Sequence, residues 1–307
     1  MKRLLCLAFS LLAAGMLSAQ NIDIRIEGRE SLNKDTGMNL DRLSMEVKGS
    51  FNSKLSFDYF QHFNRLVPVK EMLYAADRLY LRYTPTEHWS FTAGKIVSAF
   101  GSFEYDDAPI DIYFYTRHLL SCGFFLPGID VSYHFNGGKD SFSLQMTKGA
   151  HTEHGEWGRY SYNFMWTGHH GWMNTLYSAN MHELPDGYKQ YEIALGHRMN
   201  AGWFSADVDL CNRFFSERKS NNPFSSGFFM TRLSAEMGRY ASAQVKASYD
   251  FDRVIGDRFQ TGIAFEFFPY KGSRDLRLHL QGSYIPKEDI TALGIGLKWN
   301  CHLFTKQ

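Results

Sequence analysis

From residue 20 onward, apolar and polar residues swap places one for one in runs of about ten, the period of a β-strand with one oily and one wet face. Ile22, Ile24 and Ile26 oppose Asp23, Arg25 and Glu27. Leu43, Met45 and Val47 oppose Arg42, Ser44, Glu46 and Lys48, and Leu79, Leu81 and Tyr83 oppose Arg78, Tyr80 and Arg82. About sixteen such runs follow one another, the last over residues 291–302 with Leu293, Ile295, Leu297 and Trp299 on one face. Strands of about 9–11 residues cross a bilayer when tilted.

The gaps between the runs carry a second pattern. Thr84-Pro-Thr-Glu-His, Asn136-Gly-Gly-Lys, Gly168-His-His-Gly and Asn200-Ala-Gly read as tight turns, and residues 99–122 as the longest connection. Every even-numbered gap reads as a turn of roughly three to five residues and every odd one as a loop of roughly six to twenty-four. A soluble sandwich has no reason to sort its connections by parity. A membrane barrel does, with turns at the periplasmic rim and loops outside. An even strand count also lets the first strand meet the last, so that no edge stays unpaired in lipid. The expected fold is therefore all-β: a transmembrane antiparallel up-and-down β-barrel of about sixteen strands over residues 20–307.

The first residues, MKRLLCLAFSLLAAGMLSAQ, begin with Lys2 and Arg3, continue through an apolar core and end on small residues. That is the make-up of a secretory signal, expected to span residues 1–19. No later run is long and apolar enough for a membrane helix. The expected location is the cell outer membrane, with its lipid as the barrel's surroundings.

Composition sharpens this in three places. Aromatic residues make up 16% of the chain, an excess that two interfacial girdles would use. The net charge is +1, which gives no electrostatic case for nucleic acid. Outside the leader the cysteines are Cys122, Cys211 and Cys301, too far apart for a disulfide framework or a metal site, so no cofactor is expected.

The stretch from Asn39 to Leu120 resembles the phosphate-selective porin O and P family, in particular its Bacteroidetes members. The residues that carry the resemblance are Asp41-Arg-Leu-Ser-Met-Glu-Val-Lys-Gly, Leu55-Ser-Phe-Asp-Tyr-Phe-Gln-His-Phe, and the run from Ala76 through Tyr83, Ala93-Gly-Lys95 and Phe100-Gly101. Ala99 stands where the family commonly has proline, and Val97 replaces a basic residue. The resemblance implies a sixteen-stranded porin, usually a homotrimer, whose third outer loop folds into the pore. By position that loop is residues 102–121.

The wet face of the strands holds many charges, among them Arg25, Arg78, Arg198, Arg213, Arg232, Lys246, Arg277 and Lys298, interleaved with Glu46, Asp58, Glu192, Asp207 and Glu266. Charges ringing a narrow pore set ion preference. The competing reading is a solvated wall of ion pairs with no such role. The candidate pore-lining residues are Arg42, Arg78, Arg82, Lys95 and Arg117 on an electropositive side, opposed by Asp106, Asp107 and Asp111. Strict alternation with Phe91 and Ala93 turns Lys95 toward lipid. Small anions or hydrophilic solutes would diffuse passively past them.

His151-Thr-Glu-His-Gly-Glu156 and His169-His170 bring histidines close in sequence, but a metal site needs convergent imidazoles, and hydrated loop segments are the expected reading. Trp89, Trp166, Trp172, Trp203 and Trp299 fall beside short turns, as a periplasmic aromatic belt requires. No motif for nucleophilic catalysis stands out. Two alternatives to a porin remain open here: a barrel enzyme acting on lipid or peptide, and a closed structural or adhesive barrel.

Overall fold

The computed structural model describes residues 19–33, 37–63, 76–121, 123–149, 159–184, 187–215, 225–270 and 272–306. The expected leader, Cys122 and the His151–Glu156 segment lie outside these residues. The chain forms sixteen strands: β1 (Asn21–Asn33), β2 (Gly37–Ser50), β3 (Leu55–His62), β4 (Arg78–Tyr83), β5 (Trp89–Val97), β6 (Phe125–Phe135), β7 (Asp140–Lys148) and β8 (Tyr160–His170). The second half continues with β9 (Met173–Glu183), β10 (Lys189–Ala201), β11 (Phe204–Phe215), β12 (Ser226–Glu236), β13 (Ala241–Asp252), β14 (Arg258–Phe267), β15 (Leu276–Ile285) and β16 (Ile290–Lys306). Each pairs antiparallel with its sequence neighbours, and β1 pairs with β16, so the sheet closes. Closure is what lipid demands, because an open edge would leave amide and carbonyl groups with no partner.

The alternation decides which side faces out. On β7, Phe142 and Leu144 are 41% and 65% exposed, while Gln145 and Thr147 are 8% and 1% exposed. The same inversion holds on β10, where Gln190, Glu192 and Ala194 are buried and Ile193 and Leu195 are exposed. A soluble protein buries its apolar side chains; here they cover the outside, which suits hydrocarbon and not water. Toward the rim that holds the termini, the outer face carries a chain of rings across neighbouring strands. Trp89 lies 4.9 Å from Tyr133, Phe135 lies 5.0 Å from Phe142, and Trp166 lies 5.2 Å from Tyr177. Trp172 and Trp203, at the turns of the same rim, are 65% and 67% exposed. This is the aromatic girdle expected from the sequence.

The connections sort by length less strictly than the sequence predicts. Only residues 34–36 separate β1 from β2, and residues 286–289 separate β15 from β16, although both gaps lie on the long-loop rim. Strand pairing there runs on through residues that read as loop, as in Ser31 with Asn39 and Leu32 with Met38. On the other rim, residues 268–275 make a longer turn than expected. His169 and His170 belong to β8, and the turn is the pair Gly171-Trp172, with Gly171 at φ +71° supplying the left-handed residue that a two-residue hairpin needs.

One connection does not stay at the rim. Between β5 and β6, residues 98–121 turn into the barrel and carry two short helices, α1 (Phe103–Asp106) and α2 (Arg117–Ser121), with a 3₁₀ turn at Pro109–Asp111 between them.

Candidate functional site

The loop enters the barrel through Phe100-Gly101, and the backbone explains the pair. A Cβ on Gly101 would sit 2.7 Å from the Ala194 and Leu176 carbonyl oxygens and from the Ser178 nitrogen, so only glycine lets the loop lie this close to β9 and β10. Its amide donates to Ser178 Oγ at 2.9 Å. Phe100 then joins Tyr105, Ile112 and Leu119 in an apolar cluster with Ala194, Cys211, Phe228 and Met230 of β10–β12. Each fully buried large side chain contributes on the order of 1.5–3 kcal/mol, so this patch alone gives the loop a strong reason to remain inside.

Charged groups fix its course. Asp209 on β11 accepts from Ser102 Oγ at 2.7 Å and from the Phe103 and Glu104 amides at 3.0 Å. Glu104 pairs with Lys246 of β13, which also donates to the Phe114 carbonyl at 2.7 Å. Asp107 is held by Arg198 of β10 at 2.9 Å and by Arg232 of β12. Asp111 is held by Arg277 of β15 at 2.6 Å and Lys298 of β16 at 3.4 Å. Arg29 of β1 donates to the Ile110 and Ile112 carbonyls at 3.1 and 2.8 Å. At the far end of the loop, the Arg117 and His118 amides donate to Asp250. Arg117 itself donates to the Gly256 carbonyl at 2.7 Å and faces Glu288 at 3.8 Å.

The loop thus lies against the wall from β9 round to β1 and leaves the opposite side open. The remaining passage, a cavity of about 720 Å³, lies between the loop and the inner faces of β2–β9. At the rim of the termini lies a vestibule of about 400 Å³, lined by Lys48, Ser56 and Asp58, and Tyr80 and Arg82 border both cavities.

The predicted site residues divide between these two regions. Arg42, Arg78, Arg82 and Asp106 line the passage. Arg78 is neutralised by Glu46 and Asp58, the latter at 3.2 Å. Arg82 donates to Thr92 Oγ1 at 3.2 Å and sits over the Tyr80 ring, and Arg42 contacts His62, whose other ring nitrogen bonds the Asp77 carboxylate; neither arginine has a direct salt bridge among the described residues. Asp107 borders the passage but its charge is matched from behind. Asp111 and Arg117 fasten the loop to the far wall and do not stand across from Arg78 and Arg82. Lys95 lies outside the lumen: it shares the outward row of β5 with Phe91 and Ala93, beside outward Leu79, and its ammonium donates to the Ala76 carbonyl at 2.6 Å.

Asp106 meets water in the passage yet is enclosed by protein. That enclosure, and then the neighbouring Asp107 charge, hold its carboxyl above the ordinary range. Residues missed by the sequence reading include Arg29, Asp209 and Asp250. All three continue an inward row already recognised, two or four positions beyond Glu27, Asp207 and Lys246. A Ser161–His182–Glu192 line joins β8, β9 and β10, at 2.7 Å and 3.4 Å, but its three members are buried, so no substrate reaches the hydroxyl. No group of side chains able to hold a metal ion is found among the described residues.

The sequence profile of the phosphate-selective porin O and P family matches residues 17–189. Among solved structures, the anion-selective porin of Comamonas acidovorans is 12% identical, with 92% of this chain and 99% of that one covered at a TM-score of 0.65. The outer membrane channel DcaP of Acinetobacter baumannii is 12% identical over 93% and 98%, with a TM-score of 0.62. Salmonella typhi OmpF, solved with daunomycin, is 10% identical over 92% and 98%, with a TM-score of 0.64. A search of curated protein sequences finds no match.

Proposed function

The chain belongs to the phosphate-selective porin O and P family and is an outer-membrane channel, and from that premise we propose that small hydrophilic solutes and anions cross it passively, between the docked loop and the β2–β9 wall. The observation that carries this reading is the passage itself, a cavity of about 720 Å³ left between the docked loop and the β2–β9 wall.

Its ion preference is mildly anionic. It rests on Arg42 and Arg82, which have no direct salt bridge among the described residues, set against Asp106 on the loop and Asp130, whose two oxygens accept from Ser132 and Ser143. In a narrow pore, cationic side chains with no direct salt bridge act on ions that have shed screening water. The barrel performs no chemical conversion on what it passes. Residues 1–19 are removed on export, and the mature barrel assembles as a homotrimer, a state that the Vibrio cholerae outer membrane protein OmpT is recorded in.

The test is single-channel recording of purified protein in planar bilayers. Stepwise currents are expected, with a reversal potential in a salt gradient on the anion side. A barrel that folds in detergent but gives no steps would overturn the reading. Native electrophoresis reads the oligomeric state separately.

A further inference from the structure

The lipid face carries a groove on β6–β9, a hollow of about 390 Å³ between Ile129, Leu144, Met146, Phe164 and Ala179. Ala179 shows why it is there. It is the cross-strand neighbour of Phe164 on β8 and of Ile193 on β10, and a single methyl between two large side chains leaves the space unfilled. Toward the rim of the termini, the next outward positions on β7 and β8 are the paired girdle rings Phe142 and Trp166. Toward the long-loop rim, the next outward position on β7 is Lys148. On β6 it is Pro127, an exposed ring whose cross-strand neighbour on β5 is Lys95. The β6–β7 register, carried one residue past its Gly128–Thr147 pair, sets Lys148 on the other side of Pro127. Neighbouring strands lie about 4.8 Å apart, so the two lysines stand about 10 Å apart at Cα, over the outer end of the groove and with only the short proline between them.

We propose that this face binds one phosphorylated glycolipid of the outer leaflet, with a phosphate between Lys95 and Lys148 and an acyl chain in the groove beside them. Lysine meets phosphate as a point charge, and its flexible stem carries the ammonium along apolar surface to the headgroup level. The bond from Lys95 to the Ala76 carbonyl orients that ammonium without cancelling its charge. Two carboxylates nearby have other partners: Asp77 takes the His62 amide and ring, and Glu183 takes the Tyr160 amide at 2.9 Å. Bulk lipid tails are as apolar as the groove, so the groove alone favours no lipid; it aligns a chain, and the lysines choose the headgroup. Two cations match a phosphate monoester of charge about −2, as glycolipids of this kind carry, better than the single charge of a phosphodiester lipid.

The test is native mass spectrometry of the mature protein in non-ionic detergent, titrated with monophosphoryl lipid A, phosphatidylglycerol or phosphatidylethanolamine. Lipid A is expected to be retained at about tenfold lower concentration than phosphatidylglycerol, and phosphatidylethanolamine least. Lys95→Gln with Lys148→Gln should remove that advantage, and Lys95→Arg with Lys148→Arg should keep most of it. Ala179→Trp, which fills the groove and leaves both lysines, should weaken lipid A retention severalfold. Heat-modifiable mobility on gels shows that each variant has folded. Equal retention of lipid A and phosphatidylglycerol by the wild type, or lipid A retention unmoved by the double glutamine variant, overturns the proposal. Retention unmoved by Ala179→Trp overturns the place given to the acyl chain. A lower subunit number in Ala179→Trp with lipid retention unchanged overturns it in favour of a second copy of the chain on this face. The proposal does not rest on an open lumen: lipid A retained as expected by a barrel that gives no chloride steps would remove the channel reading and leave this one standing.

Discussion

The wall from β10 to β16 presents Arg198, Arg232, Lys246, Arg277 and Lys298 to the lumen, and the wall from β2 to β4 presents Arg42, Arg78 and Arg82. Similar residues, on similar strands, have different work. The first group meets loop acids: Glu104 takes Lys246, Asp107 takes Arg198 and Arg232, and Asp111 takes Arg277 and Lys298. Those charges are spent on holding the loop and give a passing ion little field. On the second wall only Arg78 is matched, by Glu46 and Asp58, so Arg42 and Arg82 act on the passage. A count of inward charges therefore says little about selectivity. What matters is which of them the loop has already taken up.

The strongest way to break this division is to release the loop. Asp209→Ala removes the acceptor of three hydrogen bonds, and bonds to a charged group contribute about 1.5–3 kcal/mol each. Gly101→Val has the same target by another route, since its side chain would collide with backbone of β9 and β10. Both variants should raise single-channel conductance several-fold and add open-channel noise, as the two halves of the lumen merge. Unchanged conductance in both would mean that the loop's position does not limit flow.

Much of this could be read from the chain, and the part that could not has a definite cause. Period-two alternation is local, so the barrel, its strand count and the inward rows were legible, whereas the loop that turns inward after Phe100-Gly101 was expected only through the family resemblance. The pairs Arg78–Asp58, Arg213–Glu192 and Arg198–Asp207 join residues on neighbouring strands, and parity alone placed them on one face. The partners of Asp107 and Asp111 lie far along the chain on strands that the loop reaches only by crossing the lumen. No local rule gives that direction, and so both acids were expected to face Arg78 and Arg82. Strand extension past the membrane likewise left no mark, because the paired residues of Ser31–Leu32 and Met38–Asn39 alternate no better than a loop does.

The open wall is the next target. Arg82→Ser should move the reversal potential in a salt gradient toward cations, and Arg42→Ser should do so in the same direction, with the double variant the largest of the three. Arg277→Ser, on the occupied wall, should change that potential far less and lower thermal stability instead, since it leaves Asp111 and Glu266 with Lys298 as their one cation among the described residues. Equal shifts from Arg82→Ser and Arg277→Ser would erase the distinction between the walls.

Acidification gives a smaller effect with a definite sign. The Asp106 carboxyl is raised, so it takes up its proton at a higher pH than an ordinary carboxylate. As pH falls from neutral, negative charge leaves the passage at Asp106 first, while Arg42 and Arg82 stay charged. Anion preference should therefore grow on mild acidification. Asp106→Asn should show that larger preference already at neutral pH and lose most of its pH dependence. A preference that shrinks on acidification in the wild type would assign the titration to another group.

The smallest effect tests the boundary between lumen and lipid. Lys95 stands on the outward row of β5, near the long-loop rim, where a long side chain can lay its methylenes on apolar surface and carry its ammonium to a polar group. The Ala76 carbonyl is that group here. A charge on the far side of the strand is separated from the passage by the sheet itself. Lys95→Gln should therefore leave the reversal potential where it is, and cost at most about 1 kcal/mol of stability from the altered hydrogen bond. A cation-ward shift as large as that of Arg82→Ser would return Lys95 to the lumen and overturn the row assignment of β5.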